Sequence, residues 1–358
     1  MQVGLFHTVQ WPEGTNQRER YQQAIEQALL AEEAGFDSVW LTEHHFSRHG
    51  IVSDSISVLC HLAARTTSIR LGTAVAVLPL HHPLRLAEAA ATLDVVSDGR
   101  LDFGIGKGYQ PGEFRGFGLT LDDREARFNE ALDIILRGWT STTPFSHEGP
   151  YWSFQDADPQ PKPIQTPHPP IWMATDSDGG FRKCAERGFG VLLPQGRSLS
   201  AVAEQLSRYR AALEAVGRPY EPDKVALARA LYVGPTIEAA WDDVTGPYQQ
   251  FLDYAGRLAG PGGSPSQHAS GDPFKLTASV NDSVLFGSPA SVLSTLREIE
   301  KLGVSRVIMF VHIGGLPHEQ IMRSMRLFRA EVMPALGSSV AGNAGMVASV
   351  VSQSGSGD

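Results

Sequence analysis

Short runs of β-branched and apolar residues alternate along the chain with longer stretches whose apolar positions recur at helical spacing. Val3–Phe6 predicts a first strand. Residues 18–34 predict a helix with Tyr21, Ile25, Ala28 and Leu29 on one face and Gly35 as its stop. The alternation continues as strand Ser38–Thr42, helix 54–66, strand 69–77, helix 83–97, strand 100–105 and helix 122–139. A polar segment rich in proline and aromatic residues, 143–169, interrupts it and predicts an excursion with one hairpin around HEGPYWSF. The pattern resumes as strand 170–174, helix 178–187, strand 189–193, helix 199–216, strand 225–233 and helix 236–255. Residues 256–283, rich in Gly, Pro and Ser, predict a mobile insertion. Helix 289–302, with Val292, Leu296 and Ile299 on one face, strand 304–311 and helix 317–334 follow, and residues 337–358 predict a disordered tail.

Eight strands, each leading into a helix, predict an α/β fold with an all-parallel sheet and right-handed crossovers. The count of eight favours a (β/α)8 TIM barrel with insertions, one domain over residues 1–336. An open doubly wound sheet is the competing arrangement. In a barrel the chemistry sits at the C-terminal strand ends, which directs attention there.

Composition narrows the class. A formal charge of −9 argues against nucleic acid or an anionic membrane as partner. Only Cys60 and Cys184 occur, without a CxxC pair, the usage of a reduced, cytoplasmic protein. The N-terminus lacks the pattern of a signal peptide, and no run reaches the ~18 apolar residues of a membrane span.

Strand two ends in Glu43-His44-His45-Phe46, a carboxylate and an imidazole suited to proton transfer; a capped surface histidine beside a core one is the structural alternative. A metal site drawn from His44, His45, His49, His81 and His82 is the rival, but adjacent strand residues point apart and no HxH or HExxH spacing occurs, so no metal is expected. The small residues around Ala74 and Val75 would let a flat ring approach, or would simply pack. Strand four runs into Gly106-Lys107-Gly108-Tyr109, where glycines and a cation suit a phosphate, although the spacing is neither GxGxxG nor a P-loop. Strand five runs into Ala174-Thr175-Asp176-Ser177-Asp178-Gly179-Gly180 at a helix start, a second phosphate grip or plain N-capping by Asp176, Ser177 or Asp178. Trp11, Phe46, Tyr109, Phe114 and Phe117 are candidates to line an apolar pocket.

These pieces occur in one order. AEEAGFDSVWLTEHHF, LGTAVAVLPLHHPLRLAE, LDVVSDGRLDFGIGKGY, PKPIQTPHPPIWMA, FGSPASVL and MRLFRAEVMPAL together resemble bacterial luciferase and the luciferase-like flavin-dependent monooxygenases, over nearly the whole chain to about residue 336. The resemblance implies a barrel that binds FMN, as FMNH2, and commonly forms a dimer. It also implies oxygenation of a small organic substrate by O2 through a C4a-peroxyflavin, with FMNH2 supplied by a separate reductase. By the same resemblance, the flavin ring lies near Glu43, Ala74 and Val75, with a non-prolyl cis peptide between the latter two. The phosphate grip maps onto Lys107 and the 176–180 turn, and the cofactor-binding residues on this side are Gly106, Lys107, Gly108, Tyr109, Ala174, Thr175, Ser177, Gly179 and Gly180. His44 is the catalytic histidine, and Glu43 orients the ring or His44. The insertion corresponds to a loop covering the site. The chain departs from bacterial luciferase in having Gly106 for cysteine, Lys107 for arginine and Thr175-Asp176 for Glu-Ser. Those changes favour a biosynthetic or catabolic oxygenation over light emission, and an Asp beside a phosphate is unfavourable unless it turns away. An F420-dependent hydride-transfer enzyme of the same fold, a flavin-binding protein without turnover and a metal-dependent hydrolase are the alternatives.

Overall fold

The computed structural model describes residues 1–258 and 282–337, so most of the expected 256–283 insertion and of the 337–358 tail lies outside the described residues. Eight strands close into a parallel barrel: β1 (Gln2–His7), β2 (Ser38–Leu41), β3 (Arg70–Thr73), β5 (Leu101–Gly106), β8 (Ile171–Ala174), β9 (Gly190–Leu193), β10 (Val225–Val233) and β12 (Arg306–Phe310), with β12 returning to β1. The open-sheet alternative is excluded by that closure. Of the remaining strands, β4 (Ala76–Val77) pairs with β5, and β6 (Phe145–Glu148) with β7 (Ser153–Ala157) forms the expected hairpin. The sequence pattern missed β11 (Leu285–Gly287), three residues added to the far end of β10.

Predicted strand 69–77 is two strands, because the chain breaks at Ala74–Val75, whose peptide is cis as the resemblance implied. Helix α1 (Gln17–Ala34) starts where the Asn16 side chain accepts from the amides of Arg18 and Glu19, and stops at Gly35 with φ 83°. Its buried face shares only Ala28 with the predicted one. Ala24, Gln27, Ala28, Ala31 and Ala34 turn inward while Tyr21, Ile25 and Leu29 are half-buried, because the alanines let the helix sit close to the barrel. The last predicted helix is regular only over His318–Leu327 and then widens and tightens through Phe328–Leu336. Pro334 sits at the start of the tightened turn Met333–Leu336, where its missing amide hydrogen is tolerated. A short helix, α4 (Pro111–Gly116), follows β5 where no element was expected.

Strand alternation puts the even-numbered residues of every barrel strand inside. In the lower half this produces a filled interior. Trp40 and Trp172 meet edge to face with centroids 5.8 Å apart. A Cβ on Gly72 would come within 2.2 Å of Trp40, and one on Gly190 within 2.4 Å of Trp172, so those inward positions have room only for glycine. Below the rings, Arg70 pairs with Asp102 at 2.8 Å, Arg306 lies 3.9 Å from the same carboxylate, and Trp172 Nε1–H donates to it at 3.3 Å. Trp40 Nε1–H donates to Ser38 Oγ at 2.8 Å. The upper half is different.

Candidate functional site

Above the two tryptophans the inward residues become small or thin, and a cavity of about 590 Å³ opens at the C-terminal strand ends. Phe6, Leu192, Ala228 and Ile308 form its apolar floor. Thr8, Thr42 and Gln195 line this cavity, and their side-chain oxygens are buried and without a hydrogen-bond partner. A buried polar atom left so is costly unless a ligand or water completes it.

Most residues singled out from the sequence converge here. Glu43, His44, Ala74 and Val75 form one wall. Gly106, Lys107, Gly108 and Tyr109 form the next, and Ala174 and Thr175 a third. Ser177, Gly179 and Gly180 do not line the cavity. The Ser177 hydroxyl accepts from the Gly180 amide at 3.2 Å as the N-cap of α6 (Asp178–Arg187), and a Cβ on Gly180 would meet Thr175 Oγ1 at 1.9 Å. N-capping is thus the job these residues visibly perform. Gly106 also has a packing reason, since its Cβ would lie 2.4 Å from Val75. Of the five aromatic candidates only Tyr109 lines the cavity. Phe114 is core, Trp11 stacks under Arg48, and Phe46 and Phe117 pack on each other outside.

Glu43 and His44 both line the cavity, but their side chains bind different partners. Glu43 Oε1 binds His45 Nε2 at 2.9 Å, both its oxygens lie 2.8 Å from His81 Nε2, and Oε2 accepts the Val77 amide at 3.0 Å. Burial alone would raise the pKa of Glu43, but the hydrogen bonds from His45 and His81 outweigh it and hold the carboxyl below its ordinary value. Burial likewise opposes charge on His81, and Glu43 overcomes it, raising the imidazole pKa. Glu43 therefore anchors the loop after β3 rather than His44.

The partner of His44 is Glu113, which the sequence reading did not single out. His44 Nδ1 lies 2.9 Å from Glu113 Oε1, which also accepts the His45 amide at 3.0 Å, and both side chains are buried. With Glu113 ionised, Nδ1–H donates to it, and Nε2 is the ring nitrogen left to exchange a proton. Glu113 sits in the first turn of α4, and its signal was the run Gln110-Pro111-Gly112-Glu113, with proline at a helix start and an acid in the first turn. His49 lies edge-on to His44 at 5.0 Å, its pKa lowered to about 3 by burial first and by the charge of His44 second. Two non-glycine residues near this wall, Val9 (φ 48°) and Phe46 (φ 57°), hold left-handed backbone, which proteins retain mostly beside functional sites.

The cavity also carries cations. Lys107 and Arg197 both line it. Lys107 is 2.5 Å from Glu125, which Lys183 also reaches at 3.3 Å, and Arg197 is 2.8 Å from Asp176. Arg229 fixes the Arg197 backbone by donating to its carbonyl at 2.9 Å. The site thus joins an apolar chamber with unpartnered hydroxyls, a carboxylate-held imidazole and two cations. Among the described residues no group of three or more His, Cys, Asp or Glu side chains is placed to hold a metal ion, and no helix is long and apolar enough to cross a membrane.

Comparison with known proteins agrees with this geometry. The family model described as luciferase-like monooxygenase matches residues 1–306. The chain is 26% identical to the oxygenase component of the flavin-dependent trigonelline monooxygenase of Acinetobacter baylyi, over 95% of this chain and 96% of that one. The crystal structure of monooxygenase RslO1 from Streptomyces bottropensis superposes with a TM-score of 0.84 at 28% identity, covering 94% of this chain and all (100%) of the other. An F420-dependent secondary alcohol dehydrogenase shares the fold at a TM-score of 0.73 and 19% identity, over 94% and 99% of the two chains, a likeness of fold alone.

Proposed function

The chain belongs to the luciferase-like monooxygenase family, and from that premise we propose that it is the oxygenase component of a two-component system using FMNH2 and O2 on a small organic molecule. A separate reductase supplies the reduced flavin, and the protein works as a cytoplasmic homodimer. One observation carries this reading: a single cavity is lined both by His44 and Glu113, a buried pair, and by the cations Lys107 and Arg197. A flavin mononucleotide needs both, one for chemistry at the ring and one for its phosphate.

The residues fit that cofactor. The unpartnered Thr8, Thr42 and Gln195 oxygens suit the polar edge of an isoalloxazine, Ala74 and Val75 offer a thin wall to its face, and Lys107 with Thr175 and Arg197 would hold the phosphate. Bound reduced flavin supplies the activation of dioxygen. The protein's part is to exclude water from the chamber and to manage a proton. His44 Nε2 gives and takes that proton, and Glu113 fixes the tautomer and steadies the imidazolium. Glu113 is a positioning residue, so Glu113→Gln should keep flavin affinity while moving the pH profile of product formation.

The test is anaerobic mixing with FMNH2 followed by oxygen, watched by stopped-flow absorbance. A transient spectrum belonging neither to oxidised nor to reduced flavin is expected. Direct return to oxidised flavin, or turnover with F420 instead, would overturn the reading.

A further inference from the structure

The cations assigned to the phosphate are already in use. Lys107, Lys183 and Arg197 bring three positive charges, and Glu125 and Asp176 answer with two negative ones. Asp176 lines the cavity itself, where a carboxylate repels a phosphate. Glu125 stays ionised: burial would raise its pKa, but the hydrogen bond from Lys107 and the charges of Lys107 and Lys183 hold it below its ordinary value. A phosphate monoester arrives with about two negative charges near neutrality.

We infer that Glu125 and Asp176 are internal competitors for the phosphate, occupying Lys107 and Arg197 until the monoester displaces them. The inference rests on the flavin reading above and goes beyond it, by giving two acidic residues a role in setting affinity. Two anions sharing one set of cations cannot both be fully paired, so each carboxylate contact made in the free protein is one the phosphate must replace. These side chains are half-exposed, and exposed ion pairs are weak, so the competition is modest. Modest competition suits an oxygenase that receives its flavin from another protein and returns it oxidised, since the cations stay ordered without gripping the product. The bland alternative is that Glu125 and Asp176 only hold the cations in place for the ligand. The two ideas predict opposite signs.

Anaerobic titrations with reduced FMN and reduced riboflavin, followed by tryptophan fluorescence, separate them. Glu125→Gln should tighten FMN about two- to fivefold and leave riboflavin unchanged, and Asp176→Asn should do the same. In a Lys107→Ala background the gain from Glu125→Gln should vanish. Weaker FMN binding by both variants, or equal shifts for both ligands, would overturn the inference. If the wild-type protein itself fails to prefer FMN over riboflavin, the phosphate assignment beneath it fails as well. A wild-type preference for FMN with no tightening in either variant would sink the competition alone.

Discussion

The two halves of the barrel are built on one alternation and use it in opposite ways. In the lower half, inward positions hold Trp40, Trp172, Asp102 and Arg70, and these four find partners, while Arg306 Nε and Gln2 Oε1 beside them do not. In the upper half, inward positions hold Thr42, Ala174, Gly106 and Ala228, a cavity of about 590 Å³ remains, and the hydroxyls of Thr8 and Thr42 are left without partners. Packing and hydrogen bonding make the lower half a foundation. The upper half forgoes both, which is what a chamber for a ligand requires. Substitutions below should therefore be felt in stability, and substitutions above in chemistry and binding.

The largest effect is expected above. His44→Ala should lower product formation by ~10²–10⁴-fold, the span of general acid–base catalysis, with more hydrogen peroxide released and flavin affinity kept. Oxygen consumption that stays coupled to product in that variant removes His44 from the mechanism. Next comes the foundation: Trp40→Ala should cost ~3–5 kcal/mol in urea unfolding, because the hole between Gly72 and Trp172 has nothing to fill it. A loss under about 1 kcal/mol would mean that the lower interior is not tightly packed.

A matched pair of hydroxyl deletions sharpens the contrast. Ser38→Ala strands the buried Trp40 N–H and should cost ~1–3 kcal/mol. Thr42→Val removes a hydroxyl that already lacks a partner, so the free protein should be unchanged or firmer by up to ~1 kcal/mol while flavin binds more weakly. Equal destabilisation by the two would erase the distinction between the halves. The smallest effect concerns pH. Glu43 contributes fully above its ordinary value of 4.5 and loses that contribution as pH falls through its lower folded value. His81 contributes fully below its ordinary 6.5 and loses it as pH rises through its raised folded value. The advantage of the wild type over His81→Asn in unfolding midpoint should thus be largest below pH 6.5 and shrink as pH rises above it. Parallel profiles would show that the Glu43–His81 pair adds nothing.

The lower half was easy to read in the sequence and the upper half only partly so. Alternating runs and helical spacing located all eight barrel strands, because both patterns are local and repeat. The strand-end residues Glu43, His44 and Lys107 were legible because a barrel puts its chemistry there. Glu113 was not, since nothing local says that a residue on a six-residue helix will meet a histidine 69 positions earlier. Arg197 was missed for the same reason, lying in the loop after β9 and aimed by the buried Arg229. Ser177, Gly179 and Gly180 were chosen for being at a helix start, yet their neighbours show that capping and close packing already employ Ser177 and Gly180. The face of α1 was misjudged because alanines carry little weight in a hydrophobic pattern while permitting the closest approach.

The central claim is that the upper half is kept open for a flavin mononucleotide, with its phosphate at Lys107 and Arg197. Anaerobic equilibrium titration of the protein with reduced FMN, FAD and F420 tests it most directly. The account predicts that FMNH2 binds more tightly than either competitor and that Lys107→Ala weakens it without affecting reduced riboflavin. Tighter binding of F420 or FAD, or the same loss for riboflavin as for FMN, would contradict it.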